Sequence, residues 1–227
     1  MTERKWMYVL RGEGESHDAW TKRIRGEVSQ RLLDLGPSRL ELTLTEAPPP
    51  KAALFPFKSK LIAIFNVFDD SDDPSRFTEA LQGAASSVAA YEVEEAFPVA
   101  YQRNWSVGEA TPSPILLTML RKKRGIAEDD YIRRWHDGHT PLSLKIHPLW
   151  YYQRNVVRKQ LTEGGEPCDG IVLEACRTRG DLLNPLRFFG GALKMLPNMI
   201  RVAVDISGFL DPKGTETYYA TEYHLRG

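Results

Sequence analysis

The run Tyr131-Ile-Arg-Arg-Trp-His-Asp-Gly-His-Thr-Pro-Leu142 holds the densest set of groups able to do chemistry. Tyr131, Trp135 and His139 recur at every fourth residue, which sets three rings on one side of a helix. Gly138 and Pro141 are expected to stop that helix just past His139. An imidazole with an ordinary pKa near 6.5 can take or give a proton at neutral pH. The competing reading makes His139 a C-terminal cap, favoured by the helix dipole. Glu174 sits mid-strand in Ile-Val-Leu-Glu-Ala-Cys, and a carboxylate among apolar neighbours is costly unless it is paired or faces a cavity. A pocket shared by His139 and Glu174 would form an acid/base pair; the alternative is a strand-end Glu turned to solvent. Trp150, Tyr152 and Arg154 alternate with Tyr151, Gln153 and Asn155, so one set faces inward and the other faces the covering helices.

Other chemistry has less support. His136 and His139 are three residues apart, with Asp137 between and His147 downstream, but no Cys cluster or His-Glu-x-x-His spacing accompanies them, so no metal site is expected. Arg121-Lys-Lys-Arg124, leading into Gly125, reads as a solvated loop, with an anion contact as the minor reading. No Gly-rich phosphate loop, nucleophile elbow or Cys-x-x-Cys-His haem attachment occurs. The sequence requires no cofactor and leaves haem and flavin open. Cys168 and Cys176 flank a strand-like segment, too far apart to bridge, and free thiols suit the cytoplasm.

The elements that must position these groups follow from an internal repeat. Adding 111 to Pro74, Arg76 and Phe77 gives Pro185, Arg187 and Phe188. The same offset carries Trp20 and Ile24 onto Tyr131 and Trp135, while Leu10 and Arg11 reach Leu120 and Arg121 with 110. In the first copy, Trp6–Leu10 reads as a strand and Asp18–Leu35 as a helix stopped by Gly36. Leu40–Leu44 and Leu61–Phe68 read as strands, Asp73-Pro74 as a helix start and Phe97–Arg103 as a weak last strand. Asn184-Pro185 repeats the helix start. The order is βαββαβ twice, an α+β fold of two ferredoxin-like repeats. Their open sheet faces are expected to cover each other as a barrel within one chain. The repeats are expected at 1–104 and 115–227, with 105–114 as linker. Val28 and Ala63, the counterparts of His139 and Glu174, are apolar, so the chemistry belongs to the second copy.

The length of 227 residues fits this division. Hydrophobic residues are 42% and charged residues 26%, an ordinary globular balance, and 30 basic against 30 acidic residues leave no net charge. Nucleic acid and membrane are therefore not expected as partners, and no run approaches the roughly 18 apolar residues of a membrane span.

Leu120-Arg-Lys-Lys-Arg-Gly125-Ile, Tyr131-x-x-x-Trp135-x-x-x-His139-x-Pro141-Leu142, Tyr152-Gln-Arg-Asn155 and Asp169-Gly170-x-x-x-Glu174 together resemble the EthD family of the dimeric α+β barrel superfamily. The resemblance covers Ile115 to about Leu210. It departs at Tyr131, where Phe is commoner, and at Arg154, inside a string usually hydrophobic-Gln-Asn. It implies a small-molecule enzyme acting on a hydrophobic or aromatic substrate, either dehydratase- or cyclase-like or an oxidoreductase. His139 and Glu174 would be catalytic, with Tyr131, Trp135, Tyr152 and Asn155 lining and orienting. A non-catalytic binding or accessory protein is the alternative. The chain is expected as a monomer with an internal barrel, or as a homodimer of it.

Overall fold

The computed structural model describes residues 3–51, 56–163 and 165–227. Eight strands form one closed, wholly antiparallel barrel in the order β1-β3-β2-β8-β5-β7-β6-β4. In chain order they are β1 (Arg4–Gly12), β2 (Arg39–Thr45), β3 (Leu61–Asp69), β4 (Ser87–Val99), β5 (Ile115–Leu120), β6 (Leu149–Gln160), β7 (Gly170–Cys176) and β8 (Glu216–Arg226). Within the barrel, β4-β1-β3-β2 and β8-β5-β7-β6 are successive quartets, joined where β2 meets β8 and β6 meets β4. Each quartet follows the chain order strand, helix, strand, strand, helix, strand.

Strand alternation sends one set of side chains into the barrel and the other under the helices. Met7, Val9, Ile62, Ile64, Leu117, Ile171, Leu173 and Tyr218 meet in one interior cluster drawn from both quartets. The interior is polar around Lys5, whose Nζ donates to Glu95 and, at 2.7 Å, to Asn155 Oδ1. Outside the first quartet, α1 (His17–Arg23), the π-helical turn Ile24–Val28, α2 (Ser29–Asp34) and α3 (Ser75–Ala80) cover a second cluster containing Trp6, Tyr8, Phe65 and Phe77. Val28 and Ala63 are fully buried in it.

The helix over the second quartet runs further than its sequence suggests. It comprises α4 (Glu128–Arg133), a π turn Arg134–His139 and α5 (Thr140–Ile146), so Gly138 and Pro141 do not end it. Pro141 is the second residue past the π turn, in the first turn of α5, where the hydrogen-bond ladder changes register and a missing N–H does least harm. Thr140 Oγ1 donates to the Trp135 carbonyl, five residues back, at 3.0 Å, and Ser29 does the same to Ile24 at 2.7 Å. In both turns the same residue's backbone N–H also reaches that carbonyl, so each hydroxyl adds a second hydrogen bond to a carbonyl already paired in the π register. His139 thereby lies inside the helix and caps no terminus.

Two further elements differ from the sequence reading. The expected strand at Phe97–Arg103 is β4, which begins ten residues earlier and ends at Val99. Its Ala89, Ala90, Glu92 and Glu94 are poor strand formers, and pairing with β1 on one side and β6 on the other overrides that preference. After α6 (Arg179–Leu183) and Asn184, whose Oδ1 caps α7 (Pro185–Phe188) by accepting from Leu186 N at 2.9 Å, the chain adds a helix with no forecast in the sequence. This is α8 (Ala192–Ser207), entered through Gly190 and Gly191, both at positive φ. Among the described residues no helix is long and apolar enough to cross a membrane.

Candidate active site

Glu174 points out of the barrel, as do its cross-strand neighbours Leu116 on β5 and Tyr152 on β6. They form the floor of a cavity of about 320 Å³ between this sheet face and the helices. Trp135, His139 and Ser143 come from the helix above, and His147 from its end. Val202 and Ile206 of α8 close a further side, and Phe188 and Phe209 complete an aromatic wall. Thr118 and Thr217, opposite one another on β5 and β8, add hydroxyls. No Lys or Arg is among the described residues lining the space.

His139 is held at both ring nitrogens. Nδ1 lies 2.7 Å from Asp205 Oδ2 on α8 and Nε2 lies 3.2 Å from Ser143 Oγ. With Asp205 as carboxylate, which can only accept, Nδ1 carries the hydrogen and Nε2 presents a lone pair. The ring stands 5.6 Å from Phe209. Such a carboxylate–imidazole pair fixes the tautomer and stabilises the imidazolium that proton uptake creates.

Glu174 has no hydrogen-bonding side chain or backbone group beside it among the described residues, and its accessible surface is turned to the cavity. Burial pushes its pKa up to about 7, an effect that His139 only partly offsets. Near neutral pH the group can therefore hold a proton to donate. His147 behaves differently. Burial pulls its pKa down to about 4 despite the hydrogen bond from Nδ1 to the Phe188 carbonyl at 3.0 Å. Stacked on Phe188 at 4.0 Å between centroids, it is a neutral imidazole. Burial also raises Tyr152 well above the ordinary phenol range, and its hydroxyl lies 3.3 Å from Thr140 Oγ1, so it stays un-ionised.

Of the residues singled out in sequence, His139, Glu174, Trp135 and Tyr152 meet at this cavity. Tyr131 is fully buried behind it, packed against Trp135 and Phe209, and does not line it. Asn155 is on the opposite face. Its Nδ2 donates to the Ile171 carbonyl at 3.1 Å and its Oδ1 accepts from Lys5, so it braces the barrel interior. The alternation made this choice of face unavoidable, since Tyr152 and Asn155 are an odd number of residues apart. His136 lies away from the cavity, and among the described residues no three His, Cys, Asp or Glu side chains gather to hold a metal ion.

The Asp-Gly of the strand motif has a packing role. Asp169 accepts from Arg121 Nη1 at 2.8 Å and from Lys122 N at 2.9 Å, which ties down the basic loop. A Cβ on Gly170 would come within 2.6 Å of the Trp135 ring. Both cysteines are free and buried, and burial pushes their thiols up to about 12, far from a reactive thiolate. Asp205 and Ser143 have no place in the sequence reading, and His147 enters it only in the weighing of a metal site. Asp205 carried a usable signal, since it is a single acid in the apolar run Val-Ala-Val-Asp-Ile, the same anomaly that drew attention to Glu174.

No family model matches the chain, and no curated protein matches its sequence. Among solved structures it is similar to an anthrone oxidase-like protein, with 8% identity over 98% of this chain and 93% of that one and a TM-score of 0.59. It is also similar to a putative monooxygenase from Lactobacillus acidophilus NCFM, with 11% identity over 100% and 98% and a TM-score of 0.51. At such identities the likeness shows the fold alone. What the chain shares with these structures, which are of the dimeric α+β barrel type, is a mixed α/β fold around a closed eight-stranded antiparallel barrel.

Proposed function

We propose that the chain is a small-molecule enzyme that takes a hydrophobic, aromatic substrate into the cavity over β5–β8 and moves a proton on it. The observation that carries this reading is His139, locked to Asp205, sharing one largely apolar cavity with a Glu174 that has no hydrogen-bonding partner among the described residues. A polar group this costly to bury is retained where a ligand completes it. The absence of Lys and Arg from the described lining favours a neutral or weakly acidic ligand over a carboxylate or phosphate. An apolar cavity of about 150 Å³ holds benzene, so a space of about 320 Å³ fits two to three fused rings.

The step shared by dehydration, cyclisation and oxygenation of such a molecule is loss of a proton from a carbon activated by a ring carbonyl. The C–H electron pair passes into the enolate, the proton goes to Nε2 of His139, and Asp205 stabilises the resulting imidazolium. The Glu174 O–H donates to the enolate oxygen. The names of the two similar structures, anthrone oxidase-like and monooxygenase, support the oxidative branch. There dioxygen is the co-reactant, and anthrone plus dioxygen gives anthraquinone plus water.

The remaining parts of the chain fit this reading as an EthD-like half, 115–227, joined through 105–114 to a first copy, 1–104, that serves as structural partner. Both quartets share strand order and a π turn 110 to 111 residues apart, which supports two ferredoxin-like copies. Quenching of Trp135 fluorescence by a graded series of hydroxylated or keto one-, two-, three- and four-ring aromatics tests the site. Binding should peak at two to three rings and fall for carboxylated analogues; affinity that ignores ring number and charge would count against the cavity as the site.

A further inference from the structure

Against the expectation from zero net charge, we propose that the outer face of α8, a local patch, is a docking surface for an anionic lipid membrane. The helix is apolar on two sides. Met195, Met199 and Val202 turn inward against the aromatic wall of the cavity, and Ile206 packs beside Phe209. Leu193, 95% exposed, and Leu196, Ile200 and Val204, each more than half exposed, form a second stripe facing outward. Their spacing of three, four and four residues keeps them within one narrow sector of the helix. Scattered surface leucines need no explanation, but four large apolar side chains aligned on one helix do.

Charge and extent together select the occupant. The exposed charged residues of α8 are Lys194 and Arg201, both basic and along one edge of the stripe, while its single acid, Asp205, is turned inward onto His139. An amphipathic helix with apolar side chains flanked by Lys and Arg lies in an interfacial plane and is drawn to anionic headgroups. A second copy of the chain is a poorer fit. A stable interface takes about 20 to 30 residues a side, whereas this face offers about ten. Two copies of the stripe would also bring together basic residues with no acid on that face to meet them. The helix is built for a peripheral position, since it is entered through two glycines at positive φ and none of its residues is fully buried. Seated in the interface, α8 would place the bilayer against the outer wall of an apolar cavity.

Co-sedimentation with vesicles tests this directly on the whole chain. Binding to vesicles of phosphatidylcholine with 30% phosphatidylglycerol should be at least tenfold stronger than to phosphatidylcholine alone. Lys194→Glu with Arg201→Glu should weaken it by more than the roughly fivefold expected per basic residue near such a surface, and Leu193→Glu with Ile200→Glu should abolish it. All four positions are exposed, so these variants should keep the wild-type melting temperature. No binding to anionic vesicles would overturn the proposal, as would binding undiminished by Leu193→Glu with Ile200→Glu. Sedimentation equilibrium showing a dimer that this pair dissolves would overturn it in favour of a second copy.

Discussion

Replacing Glu174 by Gln should change how stability depends on pH. In the unfolded chain the carboxyl titrates at its ordinary 4.5, and in the folded chain burial holds it at about 7. Below 4.5 both states keep the proton and the group makes no difference. Between 4.5 and 7 the unfolded chain ionises while the folded chain still binds the proton, so stability falls as pH rises. At about 1.4 kcal/mol per pH unit the loss reaches about 3 kcal/mol by pH 7 and stays at that level above it. Water entering the cavity beside the carboxyl reduces the figure, so a loss of about 1.5 to 3 kcal/mol is expected. Gln has nearly the same shape and no charge to lose. Urea unfolding of wild type and Glu174→Gln at pH 4.5 and pH 8, followed by tryptophan fluorescence, should show the variant gaining about 1.5 to 3 kcal/mol on wild type between the two pH values. Comparing the difference across pH cancels any constant effect of the new amide. A difference between the proteins that is the same at both pH values within about 0.5 kcal/mol would show that Glu174 titrates normally, and the proton donor assigned to the cavity would be lost.

Asp205→Asn should lower turnover by about 10²- to 10⁴-fold by removing the charge that stabilises the His139 imidazolium, while ligand affinity read from Trp135 changes little; equal turnover would remove Asp205 from the site. Gly170→Ala should lower stability by about 1 to 3 kcal/mol, because its Cβ meets the Trp135 ring at 2.6 Å, and a melting temperature unchanged from wild type would refute that packing. Asn155→Ala should destabilise by about 2 kcal/mol through the loss of its bonds to Lys5 and the Ile171 carbonyl, with activity per folded molecule preserved. Loss of activity without loss of stability would return Asn155 to the site.

The barrel was legible because period-2 apolar runs such as Leu40–Leu44 and the offset between the two halves are local patterns. Strands such as β2 and β3 and the turn at Asn184-Pro185 read from their own residues, whereas β4 is held by its neighbours and does not. Register between strands does not, and the face that Glu174 presents is set by pairing with Leu116 and Tyr152 across two different neighbours. The separation of Tyr152 from Asn155 needs no register, since alternation along β6 puts them on opposite faces; only which of the two meets the cavity depends on the pairing. The helix end was misread because Gly138 and Pro141 are stop signals in an α-helix, whereas a π turn absorbs both. Asp205 lies 66 residues from His139, and only the docking of α8 on the helix holding His139 brings the two within hydrogen-bonding distance.

One measurement separates a cavity that moves a proton from one that only holds a ligand. Exchange of the ring-methylene hydrogens of anthrone in deuterium oxide, followed by NMR without oxygen, isolates that step from any oxidation. Wild type should speed the exchange well above the buffer rate, and His139→Ala should return it to within a few-fold of buffer while still quenching Trp135 on binding anthrone. Anthrone bound in the wild-type cavity with no faster exchange than in buffer would contradict the account and make the protein a binder.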